Sequence, residues 1–202
     1  KTGTLTMGVV ELSGAFDVLG NRSDTVARWA LINASLETGL ANPMDEAIRD
    51  AVHSDLSGVT KVDEVPYDFH RKRLSVVARD ADGTWLVTKG ALDEVLSVCT
   101  QVATPDGVAD LDRAWRDRIE GQFAEWSGQG FRVLAVGIRL VEPKAQYDRE
   151  DEHDLILAGL LRFFDPPKAD VGAVIRDLAE LGIELKIITG DNRLVAMHIA
   201  ET

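Results

Sequence analysis

The chain has 202 residues, 45% of them apolar, enough to bury the core of one or two domains. Its formal net charge of −12 disfavours nucleic acid, whose phosphates are held by clustered Lys and Arg, and no apolar run approaches the roughly 20 residues that span a bilayer. One cysteine, Cys99, excludes an internal disulfide or a thiolate zinc cluster and suits a reducing compartment, and with no basic-then-apolar leader in front the chain is expected to be soluble.

The opening "KTGTLT" is a hydroxyl-rich turn. In "NRSDTVARWALINASLETG" a polar cap precedes an apolar-periodic run and a glycine follows it, predicting a helix from about Ser23 to Thr38. "NPMDEAIRDAV" predicts a second helix, with Asn42 as N-cap, Pro43 at the first helical position and acids in the first turn. "RLSVVAR" and "TWLVTKG", separated by "DADG", predict a hairpin. "ALDEVLSVCT" and "RAWRDRIEGQFAEWSGQG" read as helices and "FRVLAVGIRLV" as a strand.

The pattern changes towards the C-terminus. "DLILAGLLRFFD" is a long apolar strand that stops at "DPPK", and "ADVGAVIRDLAELG" is an amphipathic helix ending on Gly182. "IELKIIT" then reads as a short buried strand, "GDN" as a turn and "RLVAMHIAE" as a helix. That alternation is a doubly wound α/β pattern, whereas the middle of the chain clusters strands and helices as α+β. The two ends therefore read as parts of one domain with a second domain inserted between them.

Ligands of open α/β sheets bind beyond the carboxyl ends of the strands, where Thr189, Gly190, Asp191 and Asn192 fall. Asp191 suits a divalent cation and the Thr189 hydroxyl a phosphoryl oxygen; taken alone, the same residues also make an ordinary β-to-α turn with a helix cap. No Gly-x-x-x-x-Gly-Lys-Ser/Thr loop is present, which argues against a P-loop ATPase.

Taken together and in this order, "KTGTLT", "DPPK" and "TGDN" resemble the phosphorylation domain of the P-type cation-transporting ATPases. In that family an aspartate immediately before Lys-Thr-Gly-Thr accepts a phosphoryl group from ATP, so the chain is expected to start one residue past the nucleophile. "YDFHRKRLSVV", "TKGA" and "GFRVLAVGIRL" resemble the nucleotide-binding domain inserted there, and "SLETGLANPMDEAI", "DEVPYDFHRKRLSVV" and "HDLILAGLLRFFDPPK" are similar to the bacterial magnesium-transporting branch. The resemblance implies an α+β nucleotide-binding domain over residues 7–164, an antiparallel sheet with flanking helices. It would be inserted in an incomplete Rossmann-like domain of haloacid-dehalogenase type formed by residues 1–6 and 165–202.

The resemblance also assigns roles, each with a plainer alternative. Lys89 becomes the lysine at the base of the nucleotide pocket rather than a solvated strand end, and Gly90 permits close approach of the ligand or simply ends the strand. Tyr67 becomes the ring that stacks on adenine, with Phe69, two residues on and on the same strand face, as its rival. Lys72, within the basic run His70–Arg73, contacts the nucleotide, and Arg132 meets its phosphates with a bidentate guanidinium. Asp45 contacts the adenine amino group or serves the helix dipole. Asp165 stands near bound nucleotide or stiffens a hinge with the prolines after it. Thr2, Thr189 and Asp191 hold the phosphoryl group and Mg²⁺. The tryptophans read as packing and the histidines show no metal-ligand spacing. ATP and Mg²⁺ are the implied ligands, and the actuator and transmembrane domains of the same pump the implied partners. A haloacid-dehalogenase-type phosphohydrolase and a non-catalytic interaction module are the alternative functions.

Overall fold

The computed structural model describes residues 6–39, 42–166, 168, 171–183, 186 and 193–201. After β1 (Glu11–Phe16), helix α1 (Asp24–Leu36) starts where the Ser23 hydroxyl accepts the Val26 N–H at 3.3 Å. Helix α2 (Pro43–Ala51) follows as the sequence predicts: Asn42 Oδ1 accepts the Met44 N–H at 3.0 Å and Pro43 occupies the first turn. The predicted hairpin is β3 (Arg73–Asp80) and β4 (Gly83–Gly90), with Asp80 paired to Gly83 across the turn, and β2 (Thr60–Asp68) lies on its outer edge. The chain continues through α3 (Leu92–Leu96), β5 (Cys99–Thr104), β6 (Gly107–Asp110), α4 (Arg113–Gly128), β7 (Arg132–Leu140) and β8 (Leu155–Phe164). Helices α5 (Val171–Glu180) and α6 (Arg193–Glu201) close the described chain. Gly182, at φ 72°, ends α5 with the Ile183 N–H returning to the Leu178 carbonyl at 2.9 Å, the left-handed stop its sequence announces.

Among the described residues eight strands form one sheet in the order β2-β3-β4-β7-β8-β5-β6, with β1 also pairing to β8. The sheet is mixed where an antiparallel one is predicted, because β5 runs parallel to the start of β8, Cys99 opposite Leu155. The same strand corrects the helix predicted over "ALDEVLSVCT". Leu92, Val95, Leu96 and Cys99 have helical spacing and are all buried, but the open edge of β8 takes the chain from Cys99 onward, and the helix stops at Leu96.

Helices α1 and α2 cover one face of the sheet and α3 and α4 the other, each closing its own core. The two cores meet at β8. Leu161 and Phe163 point into the first and Leu155, Leu157 and Leu160 into the second, every one of them fully buried. Burial of each such side chain contributes ~1.5–3 kcal/mol, so β8 is the strand the domain depends on most. A bulge where Val136 pairs with Gly159 but Gly137 with Leu157 shifts the alternation between the cores. Gly159 must be glycine there, since a Cβ would meet the Phe16 carbonyl and Val26. The tryptophans pack as predicted: Trp29 against Trp85 at 5.1 Å and Trp126 against Phe16 at 4.9 Å between ring centroids.

Candidate functional site

A cleft of about 440 Å³ opens between the first turn of α2 and the β2–β3 edge. Its walls include Asn42, Pro43, Val65, Leu74, Tyr67 and Phe69. The pairing of β2 with β3 slips between Val65 and Asp68, which turns the end of the strand outward. Tyr67 is 51% exposed and Phe69 86%, values that identify rings not committed to the core. They meet edge to face, 5.4 Å between centroids at 88°. The expectation that they share one strand face is corrected: β2 stops at Asp68, and Phe69 sits in the turn that follows. Both rings line the cleft.

Lys89, cross-strand partner of the cleft-lining Leu74, forms a buried ion pair with Asp45 of α2. Lys89 is 3% exposed and Asp45 wholly buried. Burial pushes the Lys89 ammonium down to about 7, and the charge of Glu37 pulls the other way. The carboxylate in direct contact favours the charged ammonium in the same sense as Glu37. Among the described residues, Asp45 Oδ1 takes Lys89 while Asp45 Oδ2 is buried without a hydrogen-bond partner. One buried carboxylate oxygen is thus left able to accept a further hydrogen bond.

A second cleft, of about 380 Å³, brings Lys72 and Arg132 together with Met44, Asp93 and Val195. It lies at the strand ends: Arg73 pairs with Gly90, and Arg132 with Phe163 at the close of β8. The first turn of α2 separates the two clefts, Pro43 lining one and Met44 the other. Lys72 has a left-handed backbone, φ 45°, and its ammonium stands 3.8 Å from Glu94 Oε1. Its carbonyl accepts the Ala91 N–H at 3.0 Å. Gly90 serves that crossing: a Cβ there would stand 2.7 Å from Arg73 Cα and nearer still to the Lys72 carbonyl, so the close approach it permits is of backbone to backbone.

The basic run divides in two. Arg71 and Arg73 turn inward to Glu152, whose side chain is completely buried, while Lys72 keeps its head in solvent. Glu152 escapes sequence reading because it stands in the acidic stretch "DREDEHD", which looks like a solvated face.

Asp165 accepts from Thr6 Oγ1 at 2.8 Å and from the Gly8 N–H at 3.1 Å, and the Met7 N–H reaches the Pro166 carbonyl at 2.9 Å. These bonds join the two segments at which the chain enters and leaves the sheet. Thr2, Thr189 and Asp191 lie outside the described residues. No cluster of three or more His, Cys, Asp or Glu able to hold a metal occurs among the described residues. No helix among them is long and apolar enough to cross a membrane.

Comparison with known proteins gives the same direction. The family described as P-type ATPase, cytoplasmic domain N, matches residues 12–170. Over 206 residues the chain is 40% identical to the magnesium-transporting ATPase, P-type 1, of Salmonella typhimurium strain LT2, covering 98% of this chain and 23% of that protein. It is 38% identical to the Escherichia coli K12 protein of the same name, with the same coverage. A calcium-transporting ATPase of Listeria monocytogenes is 31% identical over 137 residues, 67% of this chain. The chain spans 23% of the length of its magnesium-transporting relatives. With its mixed sheet, its flanking helices and a family match over most of its length, the chain belongs to the P-type ATPases and carries their cytoplasmic domain N.

Proposed function

We propose that this chain binds ATP across the two clefts and, in an intact pump, presents its γ-phosphoryl group to an aspartate that precedes Lys1. The observation that carries the reading is an apolar cleft walled by exposed aromatic rings, with a buried Asp45–Lys89 pair in the adjoining first turn of α2 and strand β4 whose Asp45 Oδ2 has no hydrogen-bond partner. Adenine offers a flat face for Tyr67 and an exocyclic amino donor for Asp45. Lys72 and Arg132, beyond the first turn of α2, then receive the phosphates. The clefts run towards the strand ends near Thr6 and Asp165, so the phosphates face the segments leading to the phosphorylation domain.

In this reading residues 7–164 are the nucleotide-binding domain, inserted into a haloacid-dehalogenase-type phosphorylation domain to which residues 1–6 and 165–202 contribute. Mg²⁺ arrives with the triphosphate, and Thr2, Thr189 and Asp191 hold it and the phosphoryl group. ATP hydrolysis would be coupled to ion movement through the transmembrane and actuator domains of the same protein. Magnesium is the proposed cargo, favoured by 38–40% identity to magnesium-transporting relatives over 98% of the chain.

Titration with ATP tests the reading. Lys72→Ala and Arg132→Ala are each expected to weaken binding about tenfold, the loss of one charge-assisted contact. Binding of ATP that neither substitution changes would remove the assignment.

A further inference from the structure

We propose that Glu152 is a positioning residue for the phosphate end of the cleft, acting on nucleotide through the turn that carries Lys72 without touching the ligand. The inference rests on the ATP-binding reading above. Glu152 lies between β7 and β8, just after the 3₁₀ turn Arg149–Asp151, and its side chain is completely buried. Its Oε2 takes both Arg71 Nη1 and Arg73 Nε, the latter at 2.9 Å, and its Oε1 accepts the Ser75 hydroxyl at 2.6 Å. Ser75 in turn lies 2.7 Å from the Thr88 hydroxyl on β4.

Each arginine grips a second point. Arg71 Nη2 donates to the Pro66 carbonyl at 2.7 Å, next to Tyr67, and Arg73 Nη1 to the Glu94 carbonyl at 2.9 Å. Glu94 is also the residue whose carboxylate stands near the Lys72 ammonium. One carboxylate thus fixes the residues on both sides of Lys72 and ties the whole turn to β3, β4 and α3. Lys72 itself adopts a left-handed backbone, which a side chain adopts only at an energetic cost and which the surroundings must impose. The Lys72 N–H to the Asp68 carbonyl, 2.6 Å, and the Ala91 N–H to the Lys72 carbonyl, 3.0 Å, hold that conformation from either side. Without the Glu152 charge, two inward-facing guanidiniums would repel each other across the turn, and Lys72 would lose its aim, while Tyr67, flanked by the Val65–Ser75 and Asp68–Arg73 pairings of β2 with β3, keeps its place.

The test compares ATP with adenosine in the 202-residue chain, using Glu152→Gln, Lys72→Ala and the double variant. Glu152→Gln removes the charge and keeps an acceptor for Ser75. It is expected to weaken ATP about tenfold and leave adenosine within about twofold, and the double variant to bind ATP no more weakly than Lys72→Ala alone, the signature of residues acting as one unit. A merely structural Glu152 would weaken ATP and adenosine by the same factor, or its loss would multiply with that of Lys72→Ala; either result overturns the proposal, as does unchanged ATP binding in Glu152→Gln. Wild-type chain that binds neither ligand would overturn the ATP-binding reading together with it, whereas wild-type binding with multiplicative losses overturns the positioning role alone. If Glu152→Gln does not fold, Glu152→Asp, which keeps the charge but withdraws it by one methylene, carries the same comparison with the same two outcomes.

Discussion

Thr6 and Asp165, 159 positions apart, are joined by a 2.8 Å hydrogen bond from the Thr6 hydroxyl to the Asp165 carboxylate, with both residues buried. The bond closes the sheet where the chain enters and leaves it. The same carboxylate accepts the Gly8 N–H, so one side chain clasps both segments.

Replacing Asp165 with Ala would remove the carboxylate that accepts from the Thr6 hydroxyl and the Gly8 N–H, and is expected to cost about 2 kcal/mol. Urea unfolding of the variant against wild type measures it. A difference below about 0.5 kcal/mol, the range of an ordinary surface change, would contradict the clasp.

The Lys89–Asp45 pair behaves differently under single and double substitution. Lys89→Met leaves a buried carboxylate without its counter-ion and is expected to destabilise by ~3–5 kcal/mol. Combining it with Asp45→Asn removes the stranded charge and is expected to recover most of that loss. Equal destabilisation in the single and double variants would show that the charge is not what the fold must neutralise.

Glu64 provides a pH dependence. Partial burial raises its pKa, but hydrogen bonds from Lys61 and from the Thr38 side chain and backbone outweigh burial and hold the carboxyl below its ordinary value of 4.5. Because the folded pKa is depressed, the stabilisation is fully present above that ordinary value and is lost as pH falls through the folded one. The stability difference between wild type and Glu64→Gln is therefore expected to shrink from pH 6 towards pH 3. A difference that stays constant over this range would sink the assignment.

Much of this architecture was legible from local signals. Asn42-Pro43, the "DADG" turn and Gly182 each fix a backbone event with their own chemistry, and each lies where it was predicted. Strand β2 was harder to read, because Lys61, Asp63, Glu64 and Pro66 disguise an edge strand that needs no apolar outer row. β5 was hidden by apolar spacing that fits a helix equally well, and only the free edge of β8 decides the matter. At the candidate site, the family motif points to Tyr67, Lys72, Lys89 and Arg132, whereas nothing in it points to Glu152. Its partners lie 77 to 81 positions away, and no local pattern encodes a pairing of that range.

The most direct test of the ATP-binding account is a two-dimensional NMR titration of the chain with ATP. The account predicts saturable shifts centred on Tyr67, Lys72, Lys89 and Arg132, with the Lys72 and Arg132 shifts absent when adenosine replaces ATP. A folded chain that shows no saturable shift at millimolar ATP, or shifts confined to residues remote from both clefts, would contradict it.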